Sequence, residues 1–113
     1  MTIYIKNKYR LIIEDFSFKC VIGKNGISKS KVEGDKKTPK GLFNIEHLYY
    51  RKDRVKKPTT NLRCIDIKKN MGWCDDVKNK YYNKLIKIKK NSKISYEKLF
   101  RKDNKYDLFI LIK

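Results

Sequence analysis

Along much of the chain apolar and polar residues trade places with a period of two, and that rhythm restricts the fold to β-sheet. Ile3 to Ile5, Arg10 to Ile13 and Phe16 to Ile22 are rich in β-branched and aromatic residues and read as three strands of a meander. The rhythm returns where Phe43, Ile45, His47 and Tyr49 alternate with Asn44, Glu46, Leu48 and Tyr50, a strand with one face on a core. Further strands are expected at Leu62 to Ile67 and Leu85 to Ile88, with an irregular polar stretch from Asn70 to Lys80 between them. Ser95 ahead of Glu97 to Phe100 predicts a short helix with the serine at its N-cap. Leu108 to Ile112 is a continuous apolar run, which reads as a central strand buried on both faces. Coming last, such a strand predicts a sheet interrupted part-way with an aggregation-prone edge; the alternative is that it pairs inside an existing sheet.

No linker divides the 113 residues, so a single domain over residues 1–113 is expected. Hydrophobic residues make up 40% of the chain, which supplies a core and excludes global disorder despite 37% charged residues. The formal charge of +18 supports non-specific attraction to a polyanion such as nucleic acid or a phosphate polymer. A competing explanation is compositional drift: the chain is crowded with Lys, Ile, Asn and Tyr, lacks Ala and Gln, and spreads its lysines along its whole length. Cys20, Cys64 and Cys74 cannot all pair with one another and show no metal-ligand spacing, so a structural zinc is not expected. His47 is the one histidine; it could serve a thiolate as base, but a lone histidine on a strand is more often a surface or packing residue. Neither a signal peptide nor a transmembrane segment is visible at the start of the chain.

Gly23 to Lys40 is turn chemistry over a length at which loops are commonly functional. Within it, Glu33 to Gly41 (EGDKKTPKG) combines Gly34 and Gly41 for tight backbone turns, Asp35 and Thr38 for side-chain to backbone bonds, and Pro39 to fix a dihedral. A second cluster, Met71 to Asp76 (MGWCDD), sets the broad surface of Trp73 beside the adjacent anions Asp75 and Asp76, a pair suited to the ammonium groups of a peptide.

These segments resemble the L,D-transpeptidase catalytic domain, the cysteine enzymes that cross-link bacterial peptidoglycan. The first matches Gly-Asp-x-x-Thr-Pro-x-Gly-x-Phe at Gly34, Asp35, Thr38, Pro39, Gly41 and Phe43. The second matches Gly-Trp-Cys-Asp-Asp with a following Tyr-Asn at Gly72 to Asp76, Tyr82 and Asn83. Glu97, Leu99, Phe100, Arg101, Tyr106 and Asp107 continue the series in order, so the likeness runs from about Cys20 onward.

The resemblance implies a mainly β fold with short helices and a cleft lined by these loops. It makes Gly34, Asp35, Thr38, Pro39, Gly41, Trp73, Asp75, Asp76, Tyr82 and Asn83 the candidate motif or substrate-binding residues. It also implies peptidoglycan stem peptides as partners, no metal or organic cofactor, and a place in the periplasm or cell envelope. Complete members carry the nucleophile in a Ser/Thr-x-Gly-Cys segment with an upstream histidine, beyond the strand matching Leu108 to Ile112. Cys20 follows Lys19, Cys64 follows Arg63 and Cys74 follows Trp73, so none inherits that role. The expectation is a partial domain, cut before its catalytic segment and inactive alone, with no catalytic residue among these 113. The alternative function is a small basic protein that binds nucleic acid or another polyanion without catalysis.

Overall fold

The computed structural model describes residues 1–113, which form eleven strands and no helix. They gather into two compact units, Met1–Leu42 and Phe43–Lys113.

In the first unit the predicted meander forms from β1 (Ile3–Asn7), β2 (Arg10–Ile13) and β3 (Phe16–Lys19), antiparallel in that order. Register places Ile3, Ile13 and Phe16 in one cross-strand row and Ile5, Leu11 and Phe18 in the next. Side chains directly opposite one another share a face, so these six form one apolar surface, with Phe16 and Phe18 stacked 6.4 Å apart. The turn-rich stretch that follows holds two short strands, β4 (Ile27–Ser28) and β5 (Thr38–Pro39), paired in parallel.

The second unit contains two three-stranded sheets. In one, β6 (Ile45–Tyr50) lies between β7 (Cys64–Asp66), parallel to it, and β11 (Leu108–Ile112), antiparallel to it. A parallel neighbour needs a long crossover, which the basic stretch 51–63 supplies. In the other, β8 (Met71–Cys74) lies between β9 (Leu85–Lys87) and β10 (Tyr96–Lys98), antiparallel to both. The core gathers around Tyr49, Ile67 and Leu99, with Ile65, Met71, Trp73, Leu85, Phe100, Tyr106, Phe109 and Leu111 packed against them. Tyr49 and Phe109 stack with centroids 4.6 Å apart, and Tyr106 meets Phe109 edge-on at 5.7 Å.

Three expectations need correction. The helix predicted at Glu97 to Phe100 is strand β10: Tyr96, Glu97 and Lys98 pair with Cys74, Trp73 and Gly72. A segment this short gains little from helical bonding, since nucleation fixes several dihedrals for the first hydrogen bond, whereas an existing strand edge offers ladder bonds at once. The stretch from Asn70 to Lys80 is not irregular throughout, because it opens with β8, the middle strand of its sheet. Gly72 obscures that strand in the sequence, yet the packing around it is tight: a Cβ would lie 3.1 Å from both Ile88 Cγ1 and Tyr96 Cδ2, so those side chains would have to give way. Finally, β11 is an outer strand and not a central one. Leu108, Ile110 and Ile112 are 49%, 44% and 48% exposed, while Phe109 and Leu111 turn toward the core.

Candidate functional site

The loop containing Gly34 to Gly41 is organised by one carboxylate. Asp35 accepts hydrogen bonds from Lys31 Nζ at 2.6 Å, from the Val32 amide at 2.8 Å and from the Lys37 amide at 2.9 Å. The Lys31 ammonium foremost, with the Val32 amide next, holds its pKa down at about 2. A group so engaged is ionised throughout the neutral range, which suits it to fixing a loop and not to shuttling protons. The backbone passes through the left-handed region at Gly34 (φ 78°) and again at Lys36 (φ 57°), where a non-glycine residue is uncommon.

Thr38 Oγ1 accepts from the Gly23 amide at 2.7 Å, and Asn25 Nδ2 donates to the Asp35 carbonyl at 2.9 Å, so the loop is laced to the Gly23–Asn25 turn. The approach is close: a Cβ on Gly23 would lie 2.5 Å from the Lys36 carbonyl oxygen. Pro39 lacks an amide hydrogen, and the ladder to β4 is carried by its neighbours, with Thr38 N–H donating to Gly26 and Lys40 N–H to Ser28. Gly41 lies in an exposed bend.

The second motif lies in the other compact unit and forms a hairpin closed on itself. Cys74 N–H donates to the Lys84 carbonyl, and Asn83 N–H returns a bond to the Cys74 carbonyl at 2.8 Å. Asn83 adopts φ 58°, a conformation Asn tolerates better than most residues, and its Oδ1 accepts from Trp73 Nε1 at 3.0 Å. Trp73 is half-buried, its ring packed on the core and its N–H reaching across the hairpin to Asn83. Asp75 accepts from Ser95 Oγ at 2.6 Å, tying the hairpin to the segment entering β10. Asp76 Oδ1 accepts from the Lys78 amide, and its carbonyl from the Asn79 amide, which shapes the turn. Tyr82 N–H donates to the Asn79 carbonyl within that turn. Asp75 and Asp76 therefore serve separate contacts.

Cys74 is fully buried. Cys64 pairs in register with Leu48, and strand alternation directs the neighbouring His47 to the opposite face of the sheet, so these two do not form a thiol–imidazole pair. The Cys64 thiol lies 3.6 Å from the Leu62 carbonyl oxygen, and Cys20 is half-buried in the first unit.

Sequence reasoning missed the partners that make these motifs rigid. Lys31, four residues before Asp35, carried a legible ion-pair spacing, whereas Ser95, twenty residues from Asp75, carried none. It also missed the buried Arg51, whose guanidinium donates to both Asp53 oxygens and to the Arg101 carbonyl and lies 3.5 Å over the Phe100 ring. Around it the remaining motif residues find their places. Leu99 enters the core, and Arg101 is paired with Asp103. Burial disfavours the charge on Glu97, but hydrogen bonds from Lys105 and Tyr106 outweigh it and leave its pKa below the usual carboxylate range.

Comparison with known families returns the L,D-transpeptidase catalytic domain, the YkuD family, matched over residues 1–110. Searches of curated proteins and of solved structures gave no match. The family match takes in both laced loops and the β-sheets that carry them, and on that ground the chain belongs to the L,D-transpeptidase catalytic-domain family.

Proposed function

We propose that residues 1–113 serve peptidoglycan cross-linking in the bacterial cell envelope as the scaffold and loop portion of an L,D-transpeptidase, without supplying the nucleophile. Acyl transfer of this kind requires a thiolate beside a base, with donors for the developing oxyanion. The observation that carries the reading is the state of Cys74: it is the one cysteine inside a matched motif, and it is fully buried. A stem peptide cannot reach its sulfur without unfolding the hairpin. Gly34, Asp35, Thr38, Pro39 and Gly41 set one loop in a fixed shape, and Trp73, Asp75, Asp76, Tyr82 and Asn83 set the other; contact with stem peptides falls to the exposed surface of these loops.

The test is muropeptide cross-linking by the purified 113-residue chain and by Cys74→Ser. Neither is expected to form acyl-enzyme or cross-linked product. Turnover by the parent chain that vanishes in Cys74→Ser overturns the proposal.

A second reading, attraction to polyanions, is favoured by the excess of 30 Lys and Arg over 12 Asp and Glu. It predicts binding to an anionic polymer whose logarithmic affinity falls linearly with the logarithm of salt concentration.

A further inference from the structure

Beside the buried Arg51, in the second unit, lies an open cavity of about 520 Å³, within the range of small-ligand pockets. Its lining comes from the ends of two neighbouring strands and one core aromatic: Lys52 and Asp53 after β6, Asp66 to Lys69 at the end of β7, and Phe100. None of this belongs to the two loops described above.

The charges here divide into a settled pair and an unsettled group. Asp53 is taken by Arg51 in a two-bond ion pair, which neutralises both. Lys52, Lys68 and Lys69 have no carboxylate partner, and Asp66 is in no ion pair. Three ammonium groups against one carboxylate leave a surplus of two positive charges around the cavity. A phosphate monoester carries about −1.5 to −2 at neutral pH, which matches that surplus, whereas a single carboxylate falls short of it. Lysine ammoniums bind phosphate as point charges and need no planar fork. Phe100 is half-buried, with Arg51 against its ring, and its remaining surface forms an apolar wall of the cavity, with Lys69 Nζ 6.0 Å from the ring centre. Asp66 offers acceptor oxygens to a hydroxyl or amine of the same ligand.

The geometry points to a binding site for a small organic phosphate carrying a planar ring, a nucleoside monophosphate in chemical class. The phosphate lies among Lys52, Lys68 and Lys69, the ring against Phe100, and a ligand hydroxyl or amine at Asp66. This site is independent of the acyl-transfer reading. It also differs from diffuse polyanion attraction, because it requires a ring and a particular set of lysines.

The full 113-residue chain would be titrated calorimetrically with adenosine 5′-monophosphate, adenosine and ribose 5-phosphate at constant ionic strength. Adenosine 5′-monophosphate is expected to bind with one site per chain, and each truncated probe about tenfold or more weaker. The double variant Lys68→Glu, Lys69→Glu is expected to lose about tenfold or more in affinity, while Lys89→Glu, Lys90→Glu, with the same charge change elsewhere, stays within about twofold. Circular dichroism of both variants confirms the fold, and Asp66→Asn supplies a milder perturbation that also weakens binding. Absence of binding, equal affinity for ribose 5-phosphate, or equal loss in the two double variants overturns the site.

Discussion

Replacing Trp73 tests whether the second motif is a structural clasp. Removing a fully buried tryptophan costs about 3–5 kcal/mol. Trp73 is only half-buried, with its ring on the core and its edge toward Asn83, so the packing loss in Trp73→Ala is about 2 kcal/mol. The Nε1 to Asn83 Oδ1 bond adds about 0.5–1 kcal/mol. The sum, about 3 kcal/mol, is a large part of the stability of a small domain and lowers its Tm by roughly 10 °C or more. Trp73→Phe keeps most of the ring contact and loses the hydrogen bond, so it should cost about 1 kcal/mol.

Asn83→Gly removes the same bond from the other side while accommodating φ 58°. Trp73→Phe and Asn83→Gly should therefore be non-additive, with a coupling of about 0.5–1 kcal/mol. The assay is urea unfolding followed by far-UV circular dichroism, because Trp73 is the chain's only tryptophan and its own fluorescence is lost in the variants. An unchanged midpoint in Trp73→Ala refutes the clasp and makes the ring a free, ligand-facing surface. Strict additivity refutes the role given to the hydrogen bond.

Other consequences follow from the same geometry. Iodoacetamide applied to the native chain should label Cys20 and Cys64 well before Cys74, which is fully buried; mass spectrometry of tryptic peptides reads the order, and equal labelling contradicts that burial. Asp35 has its folded pKa lowered from 3.8 to about 2, so its contribution to stability is present above pH 4 and is lost as pH falls through 3.8 toward about 2. Acid titration of Asp35→Asn against the parent chain should show a shallower loss of stability in that window, and identical profiles refute the assignment. Gly72→Val should destabilise more than Gly72→Ala, since even a Cβ meets Ile88 and Tyr96 at 3.1 Å; denaturant midpoints rank the two.

Strands that alternate over four or more residues were legible because half-buried sheet residues must alternate: β1, β2, β3 and β6 all lie on the segments their patterns marked, although β3 ends at Lys19 and not at Ile22. The errors share a cause, which is that the deciding partner is distant in sequence. Gly72 speaks against a strand until Ile88 and Tyr96 are seen crossing over it. Tyr96 to Lys98 carries too few residues to separate a period of two from one of 3.6, and only the edge of β8 selects the strand. The apolar run 108–112 correctly announced a strand, but its place in the sheet depends on pairing with β6, more than fifty residues earlier. The motif residues were found as a pattern, while their distant partners were not. Nothing in the motif pattern pointed to Ser95 as the partner of Asp75 or to Asn83 as the partner of Trp73.

The acidic residues also bear on the meaning of the +18 charge. Asp35 is paired with Lys31, Asp53 with Arg51, Asp103 with Arg101, Asp107 with Arg54, Glu97 with Lys105 and Glu46 with Lys113. Asp75 and Asp76 hold their hairpin through Ser95 and the Lys78 amide. Eight of the chain's 12 acids thus stand in ion pairs or loop-shaping bonds, and the basic excess is left mostly as lysine facing water. A surface of that kind would give general attraction to polyanions without any selected site, because screened lysines scattered over a fold add long-range attraction but little specificity. What distinguishes the cavity at Phe100 is therefore not its lysines alone. There an acid without an ion pair, Asp66, and a partly exposed ring share one concave surface with three uncompensated ammonium groups, so several features of a ligand would have to match at once. Discrimination among ligands arises from that conjunction, since each single feature recurs elsewhere on a chain this rich in lysine and tyrosine.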